Sequence, residues 1–544
     1  MPPIPENVIV VGAGIGGLAT AIELAGAGVE VTVLERRPVA GGKMREIEVA
    51  DLAIDSGPTV LTLRDVFDGL CASVGQNLDD VVTLDPLPIL ARHAWDEGAH
   101  FDLFADVART EAEVARLFGD RTLADFRRFS ARAAAVHASL ADRFMRASQP
   151  GLLGLVTRFG LSGLPELMAN RPFSTMWREL GRLLPEPRLR QLFARYATYC
   201  GCSPFDAPST LMLIADVEAR GVWRVKGGMQ RLAEGLTKVA ERAGVTIRYE
   251  TPVAELRVAQ GRVAGVRTAD GEDIQASAVV SAADVGAIAD GLFGTEVATR
   301  VRAPARHQRS LSAMTWSAKA SSEGRPLAYH NVLFSTDYRQ EFEQIFTERR
   351  VPDAPTVYVC AQQQSDGIGG DPHSPLGRAG TPPSQDLTAD GTRSRSQSIF
   401  CLVNAPPDGD VTRPSPEEIA RCTKTMQDAL SRCGIRLTLD PSTTRITTPA
   451  DFAEMFPGTG GALYGRATHG PFAAFRRSGS KTALPGLYLA GGSVHPGAGV
   501  PMAALSGRLA ASQLMADRAS TRQYHPAGIS GGMSTPSVAT AATD

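Results

Sequence analysis

Gly12, Gly14 and Gly17 stand in the run Val8-Ile-Val-Val-Gly12-Ala-Gly14-Ile-Gly-Gly17, and a helix-length interval later a second apolar run ends in Glu35-Arg36. That spacing suits a dinucleotide pyrophosphate. Gly12 permits a tight turn, Gly14 lets backbone N–H groups approach phosphate, and Gly17 lets a helix lie close on the preceding strand. A helix beginning near Ile15 directs its positive end at the phosphates. Glu35, at the tip of the second strand, can accept hydrogen bonds from a ribose diol and would repel a 2′-phosphate. Gly12, Ala13, Gly14, Ile15, Gly16, Gly17, Glu35 and Arg36 are therefore the first candidate contacts. A second glycine pair, Gly41-Gly42, follows at once, then Arg45, whose guanidinium can neutralise a diphosphate. Ile54-Asp-Ser-Gly57-Pro58-Thr59 comes next, adding Gly42, Gly57, Pro58 and Thr59 to the set. A simple nicotinamide fold has no need of this second loop.

The other end of the chain carries a matching device. Leu487-Tyr-Leu-Ala490 reads as a buried strand, Gly491-Gly492-Ser-Val-His495-Pro-Gly-Ala-Gly499 as a glycine turn, and a helix of small residues begins near Pro501-Met502. Such a helix points N–H groups at an electronegative ring edge, while glycines leave the ring room. Glycine motifs at both ends imply one dinucleotide held by both, with Gly491, Gly492, Pro501 and Met502 as contacts.

Elements must position these loops. Residues 1–105 open the nucleotide-binding domain, and 106–222 turn helical, with apolar residues at three-and-four spacing over 111–118, 123–145 and 189–198. Within that stretch, Pro150 to Pro165 is apolar apart from Arg158 and suits a surface segment in a membrane interface. The nucleotide domain resumes over 223–294, with an amphipathic helix after Gly227-Gly228, a strand over 244–253, its hairpin partner at 263–268 and a buried strand at 278–282. Residues 295–455 alternate strands (309–319, 356–362, 398–404) with helices such as 416–433, giving a mixed sheet with helices on one face. Residues 363–397, rich in Ser, Gly, Pro, Asp and Thr, read as a flexible loop. The nucleotide domain closes over 456–519, and 520–544 reads as a disordered tail.

Bulk composition narrows the function. The 544 residues carry a net charge of −2 with 21% charged residues, so nucleic acid is not an expected partner. No run of 18 apolar residues is present, so no span of a bilayer is expected. The first strand begins at Val8, which leaves no room for a secretory signal. Seven scattered cysteines fit a reducing compartment. Cys200-Gly-Cys202 has no His or acid cluster beside it, so no metal site is expected there.

The glycine pattern resembles FAD-binding proteins of the amine-oxidase and carotenoid-desaturase superfamily. Ile54-Asp-Ser-Gly-Pro-Thr-Val-Leu-Thr, Arg195-Tyr-Ala-Thr-Tyr-Cys-Gly-Cys-Ser-Pro-Phe, Tyr329-His-Asn-Val-Leu-Phe-Ser, Thr356-Val-Tyr-Val-Cys-Ala-Gln and Gly461-Ala-Leu-Tyr-Gly-Arg-Ala-Thr-His-Gly sharpen the likeness. Over about residues 1–515 the chain resembles bacterial carotenoid desaturases of the phytoene-desaturase family, and within it the hydroxyneurosporene (1-hydroxycarotenoid 3,4-) desaturase branch. The resemblance implies an α/β protein: an FAD-binding doubly wound (glutathione-reductase-like) domain from discontinuous segments, a mixed-sheet substrate domain and a helical membrane-facing subdomain. It implies FAD as cofactor, with Val253 meeting the adenine through its backbone. It also implies a long polyene substrate that gains a C=C bond, quinone or oxygen as electron acceptor, and peripheral association with the cytoplasmic side of a membrane. A phytoene-type desaturase and a non-catalytic isoprenoid-lipid carrier are the alternatives. No catalytic residue is assigned; His495, His469 and Arg476 are read as structural or cofactor-positioning groups. Two departures from the pattern are the long 363–397 loop and the lack of an acid at Gly491-Gly492.

Overall fold

The computed structural model describes residues 7–148, 154, 171, 173–362 and 396–524, with two short strands at 386–387 and 393–394. The segment in which a membrane contact is expected falls largely on 149–170, outside the described residues, as do most of the 363–397 loop and residues 525–544.

A five-stranded parallel sheet forms the nucleotide half, in the order Leu487–Leu489, Ala278–Ser281, Val8–Val11, Val31–Leu34, Thr246–Arg248. Its strands are short and nearly uniformly apolar, as strands covered on both faces must be. Three distant stretches of chain thus build one sheet. The helix Ile15–Gly26 lies against it and buries Leu18, Ala19, Ile22 and Leu24. The C-terminal helix Val500–Tyr524 packs on that helix and continues past residue 519, where the tail was expected to begin. The expected strand over 244–253 is in fact two. Thr246–Arg248 joins the parallel sheet, whereas Val253–Ala259 pairs antiparallel with Arg262–Thr268. Glu250 in the left-handed region (φ +50°) and Pro252, which has no N–H to donate, separate them.

A mixed sheet builds the second half. Its order is Ile435–Thr438, Ser312–Gly324, Ser396–Ala405, Val357–Ala361, His330–Leu333, Ile89–Ala94, His100–Phe104, with Thr444–Thr447 also pairing to Ser312–Gly324. Alternation sorts its faces. Trp316 points into a core with Met426, Ala429 and Leu430 of the helix Pro416–Arg432, and its indole N–H donates to Thr423 Oγ1 at 3.0 Å. Thr315, Phe400 and Leu402 point to the opposite face, which roofs an internal cavity. Trp316→Ala should therefore cost about 3–5 kcal/mol, read as a lower thermal midpoint of the apoprotein. The helical stretch begins with Val107–Leu140, broken at Gly119 (φ +83°) and followed by a single wide turn over Ala141–Met145, and continues with Met176–Leu183, Pro187–Ala194 and Leu213–Ala219. Among the described residues no helix is long and apolar enough to cross a membrane.

Candidate active site

The glycine loop closes as its spacing requires. Gly12 has φ +99°, and a Cβ on Gly17 would fall on the Gly12 carbonyl oxygen. Glu35 is 6% exposed. Its Oε2 accepts the Ala13 N–H at 2.7 Å and its Oε1 the Arg37 N–H at 2.9 Å, which fixes the carboxylate at the strand tip. The Thr251 N–H donates to the Glu35 carbonyl at 2.8 Å and brings Val253 alongside. The second loop docks on the first, since Gly41 N–H donates to Ala13 O at 3.0 Å.

Both chain ends converge here. A Cβ on Gly16 would stand 2.7 Å from Gly491 Cα, and one on Gly507 would overlap the Gly16 carbonyl oxygen. Thr20 Oγ1 donates to Gly16 O at 2.8 Å and lies 3.2 Å from Gly507 O. Arg508 Nε meets Glu23 Oε1 at 2.6 Å.

A single cavity of about 750 Å³ runs from these loops to the mixed sheet. Gly12, Gly14, Ile15, Gly16, Glu35, Arg36, Gly42, Gly57, Pro58, Thr59, Val253, Gly491, Gly492, Pro501 and Met502 all line it. Ala13, Gly17 and Arg45 do not. Gly17 serves the helix–strand contact, and Ala13 reaches the site through its N–H on Glu35. Arg45 stacks 5.7 Å from the Phe452 ring centroid and donates to Thr447 Oγ1 at 3.3 Å. Burial, then Arg37 nearby, pushes its guanidinium down to about 10. The cations that line the cavity are instead Arg36, Arg37, Lys43, Arg195 and Arg477. Lys43 Nζ donates to Leu463 O at 2.7 Å; burial lowers its affinity for a proton, and Asp284 opposes that. Asp284, which caps the helix Val285–Ala289, is an acid on the cavity wall near Gly491-Gly492. Sequence reasoning passed over Lys43, Asp284 and Arg477. Lys43 carried a signal in its place directly after Gly41-Gly42, whereas Asp284 and Arg477 carried none.

None of the three positioning candidates lines the cavity. His495 Nε2 lies 3.0 Å from both the Phe144 and Ala147 carbonyls and so pins that turn. His469 Nε2 accepts the Ser203 N–H at 2.9 Å. Arg476 faces a small separate pocket beside Arg466. Cys200 and Cys202 are free thiols, the latter bonded to the Thr468 N–H and the Cys200 carbonyl.

Beyond Thr59 the cavity enters the mixed sheet. Thr59 Oγ1 and Tyr358 OH lie 2.6 Å apart, and His330 Nδ1 is also 2.6 Å from that hydroxyl. Burial, then Arg195, pushes His330 down to about 3, so its ring is neutral. Glu218 accepts from Tyr196 OH at 2.5 Å and Tyr199 OH at 2.7 Å. Burial raises Glu218 against the pull of those two hydroxyls and Arg195. Around these polar groups the walls are Leu140, Phe144, Met145, Leu211, Ile214, Phe400 and Leu402.

Over residues 15–515 the sequence matches the family described as flavin containing amine oxidoreductase. This chain belongs to that family. It is 45% identical to a hydroxyneurosporene desaturase of Rubrivivax gelatinosus, over 98% of either chain, and 42% identical to one of Cereibacter sphaeroides, over 96% of this chain and 99% of the relative. A 1-hydroxycarotenoid 3,4-desaturase of a Flavobacterium species is 29% identical over 93% of this chain and 98% of its own. The fold is similar to that of an oxidoreductase from Methanosarcina mazei (TM-score 0.55, 16% identity, 94% and 100% of the two chains) and to putrescine oxidase (TM-score 0.57, 14% identity, 94% and 99%).

The protein is thus an FAD-dependent oxidoreductase of mixed α/β fold. Its residues suit that cofactor. The carboxylate at the strand tip, two abutting glycine loops and the start of a 25-residue helix at Val500 share one continuous wall. Side chains on Gly16, Gly17, Gly41 and Gly57 would collide with backbone, so the narrowness at these approaches is built in.

Proposed function

We propose that this enzyme introduces a C=C bond into a long acyclic carotenoid, by 3,4-desaturation of a 1-hydroxy or 1-methoxy substrate such as 1-hydroxyneurosporene. The observation that carries this reading is the continuity of the cavity, which joins the cofactor loops to an apolar chamber without an intervening wall. In this reading Glu35 would hold the ribose, Gly12–Gly16 and Gly42 the diphosphate, and Gly57–Thr59, Gly491, Gly492, Pro501 and Met502 the ring, with Val253 beside the adenine. FAD supplies a hydride acceptor for an allylic hydrogen, the neighbouring carbon releasing a proton. The chain's part is to hold the polyene against the cofactor and exclude water, which burial of apolar surface favours by roughly 25 cal/mol per Å².

A polyene of this kind is delivered from lipid. Supporting membrane contact, Phe173 and Phe472 are 62% and 40% exposed and meet edge-on 5.9 Å apart, with Phe173 just beyond the 149–170 segment. Quinone or oxygen would then take the electrons.

Expression in hosts that accumulate 1-hydroxyneurosporene, neurosporene or phytoene tests the proposal. The hydroxylated pigment should lose two mass units and shift to the red while phytoene stays unchanged. Stepwise conversion of phytoene to lycopene would reject the assigned branch, and a flavin-free preparation that returns every pigment intact would favour a carrier.

A further inference from the structure

Glu341 is 1% exposed yet lines the cavity. Its Oε2 accepts the Ser335 hydroxyl at 2.8 Å and the Thr356 hydroxyl at 2.7 Å, while Oε1 has no partner at hydrogen-bond distance. Two more polar atoms on this wall lack partners: the Tyr338 hydroxyl, one helical turn before Glu341 and 6% exposed, and Thr315 Oγ1. Thr356 stands just before the strand Val357–Ala361 and two residues before Tyr358, so the Glu341 carboxylate it bonds sits roughly 7 Å along the chain from the Tyr358 position. Phe400 and Leu402 line the cavity on the same sheet face, and Phe342 packs edge-on against the Tyr338 ring.

A buried polar atom without a partner costs about 1–3 kcal/mol, and the large majority of buried polar atoms in native structures have one. A ligand that brings one donor and one acceptor removes that cost. The other two buried acids on the cavity offer no such vacancy, because Tyr196 and Tyr199 engage both oxygens of Glu218 and the Ala13 and Arg37 N–H groups both oxygens of Glu35. Burial pushes Glu341 up, and the Thr356 and Ser335 hydroxyls, with Asn404 nearby, oppose the shift.

We propose that Glu341, Tyr338 and Thr315 form the binding site for a hydroxyl group at the end of the polyene. The alcohol would donate to Glu341 Oε1 and accept from Tyr338 or Thr315. This rests on the carotenoid-desaturase reading. A hydrocarbon end leaves all three atoms unpaired, and a methyl ether can accept from Tyr338 but has nothing to donate to Glu341. Sites built to bond a hydroxyl discriminate strongly against the analogue without it.

The test uses flavin-loaded enzyme in liposomes, with 1-hydroxyneurosporene, its 1-methoxy derivative and neurosporene compared as substrates and as competing inhibitors. The wild type should half-saturate with the hydroxylated pigment at a concentration tenfold or more below that for neurosporene. Tyr338→Phe should shrink that ratio about tenfold, through KM rather than kcat. Glu341→Gln, whose amide can donate to an ether oxygen, should shift preference from hydroxyl toward methoxy. Flavin content and thermal midpoint check folding, and if Glu341→Gln fails them Tyr338→Phe decides alone. Unchanged ratios in correctly folded variants, with wild type still desaturating hydroxylated pigment, would overturn this site and leave the proposed function standing. A wild type that transforms no hydroxylated carotenoid would overturn both.

Discussion

Gly507→Val should yield a protein with less than one-tenth of the wild-type flavin content. The new Cβ would overlap the Gly16 carbonyl oxygen and stand 2.9 Å from Thr20 N and Ala19 Cβ, all in the helix that begins the phosphate loop. Backbone on both sides leaves no flexible tip to give way, and overpacking of this kind costs about 1–3 kcal/mol or more. The strain falls where the two chain ends meet. It would push the C-terminal helix off Gly16, and with it Gly491, whose N–H is held by Ser506 Oγ at 3.2 Å. Ser512→Val, at an exposed position of the same helix, is the matched control and should keep its flavin. The ratio of visible to ultraviolet absorbance in purified protein reads both. Normal flavin content in Gly507→Val would show that the helix crossing does not shape the site.

Glu35→Ala should weaken FAD binding at least a hundredfold, about 2.7 kcal/mol by the tenfold-per-1.4 rule. The buried Ala13 N–H loses its acceptor, at about 1–3 kcal/mol, and the half-buried Arg37 N–H loses its own with it. The ribose loses its acceptor as well. Arg45→Ala makes the informative contrast. Its guanidinium sits on Phe452 and Thr447, away from the cavity wall, so FAD affinity should change less than threefold. Titration of apoprotein with FAD, followed by flavin fluorescence, measures both. A large loss in Arg45→Ala alongside a small one in Glu35→Ala would reverse the roles assigned to them.

The two glycine motifs were legible because each imposes a local demand that few residue types meet. A turn with φ +99° and a helix resting on a carbonyl require glycine wherever they occur, so Gly12 and Gly17 announce themselves. Glu35 was legible for the same reason, as an acid at a strand tip. Direction was harder to read. Whether Arg45, Lys43 or Arg37 faces the cavity depends on how the loop after Gly42 packs against Phe452 and Leu463, more than 400 residues away in sequence. The strand expected over 244–253 should have been broken at Pro252, which the sequence shows, whereas the left-handed turn at Glu250 shows only in the backbone. Glu341 and Tyr338 were invisible as a site. On a nine-residue helix with a polar outer face they read as an ordinary acid and a core tyrosine, and only the bond from Thr356 and the cavity wall they share bring them out as a site.

An anaerobic single-turnover experiment tests the central claim most directly. Flavin-loaded enzyme is mixed with 1-hydroxyneurosporene in liposomes while flavin and polyene absorbance are followed together. The expected result is that one flavin bleaches for each double bond gained, both changes sharing one rate constant, because cofactor and polyene occupy a single continuous cavity. A polyene that red-shifts while the flavin stays oxidised, or a flavin that bleaches with no change in the pigment, would contradict it.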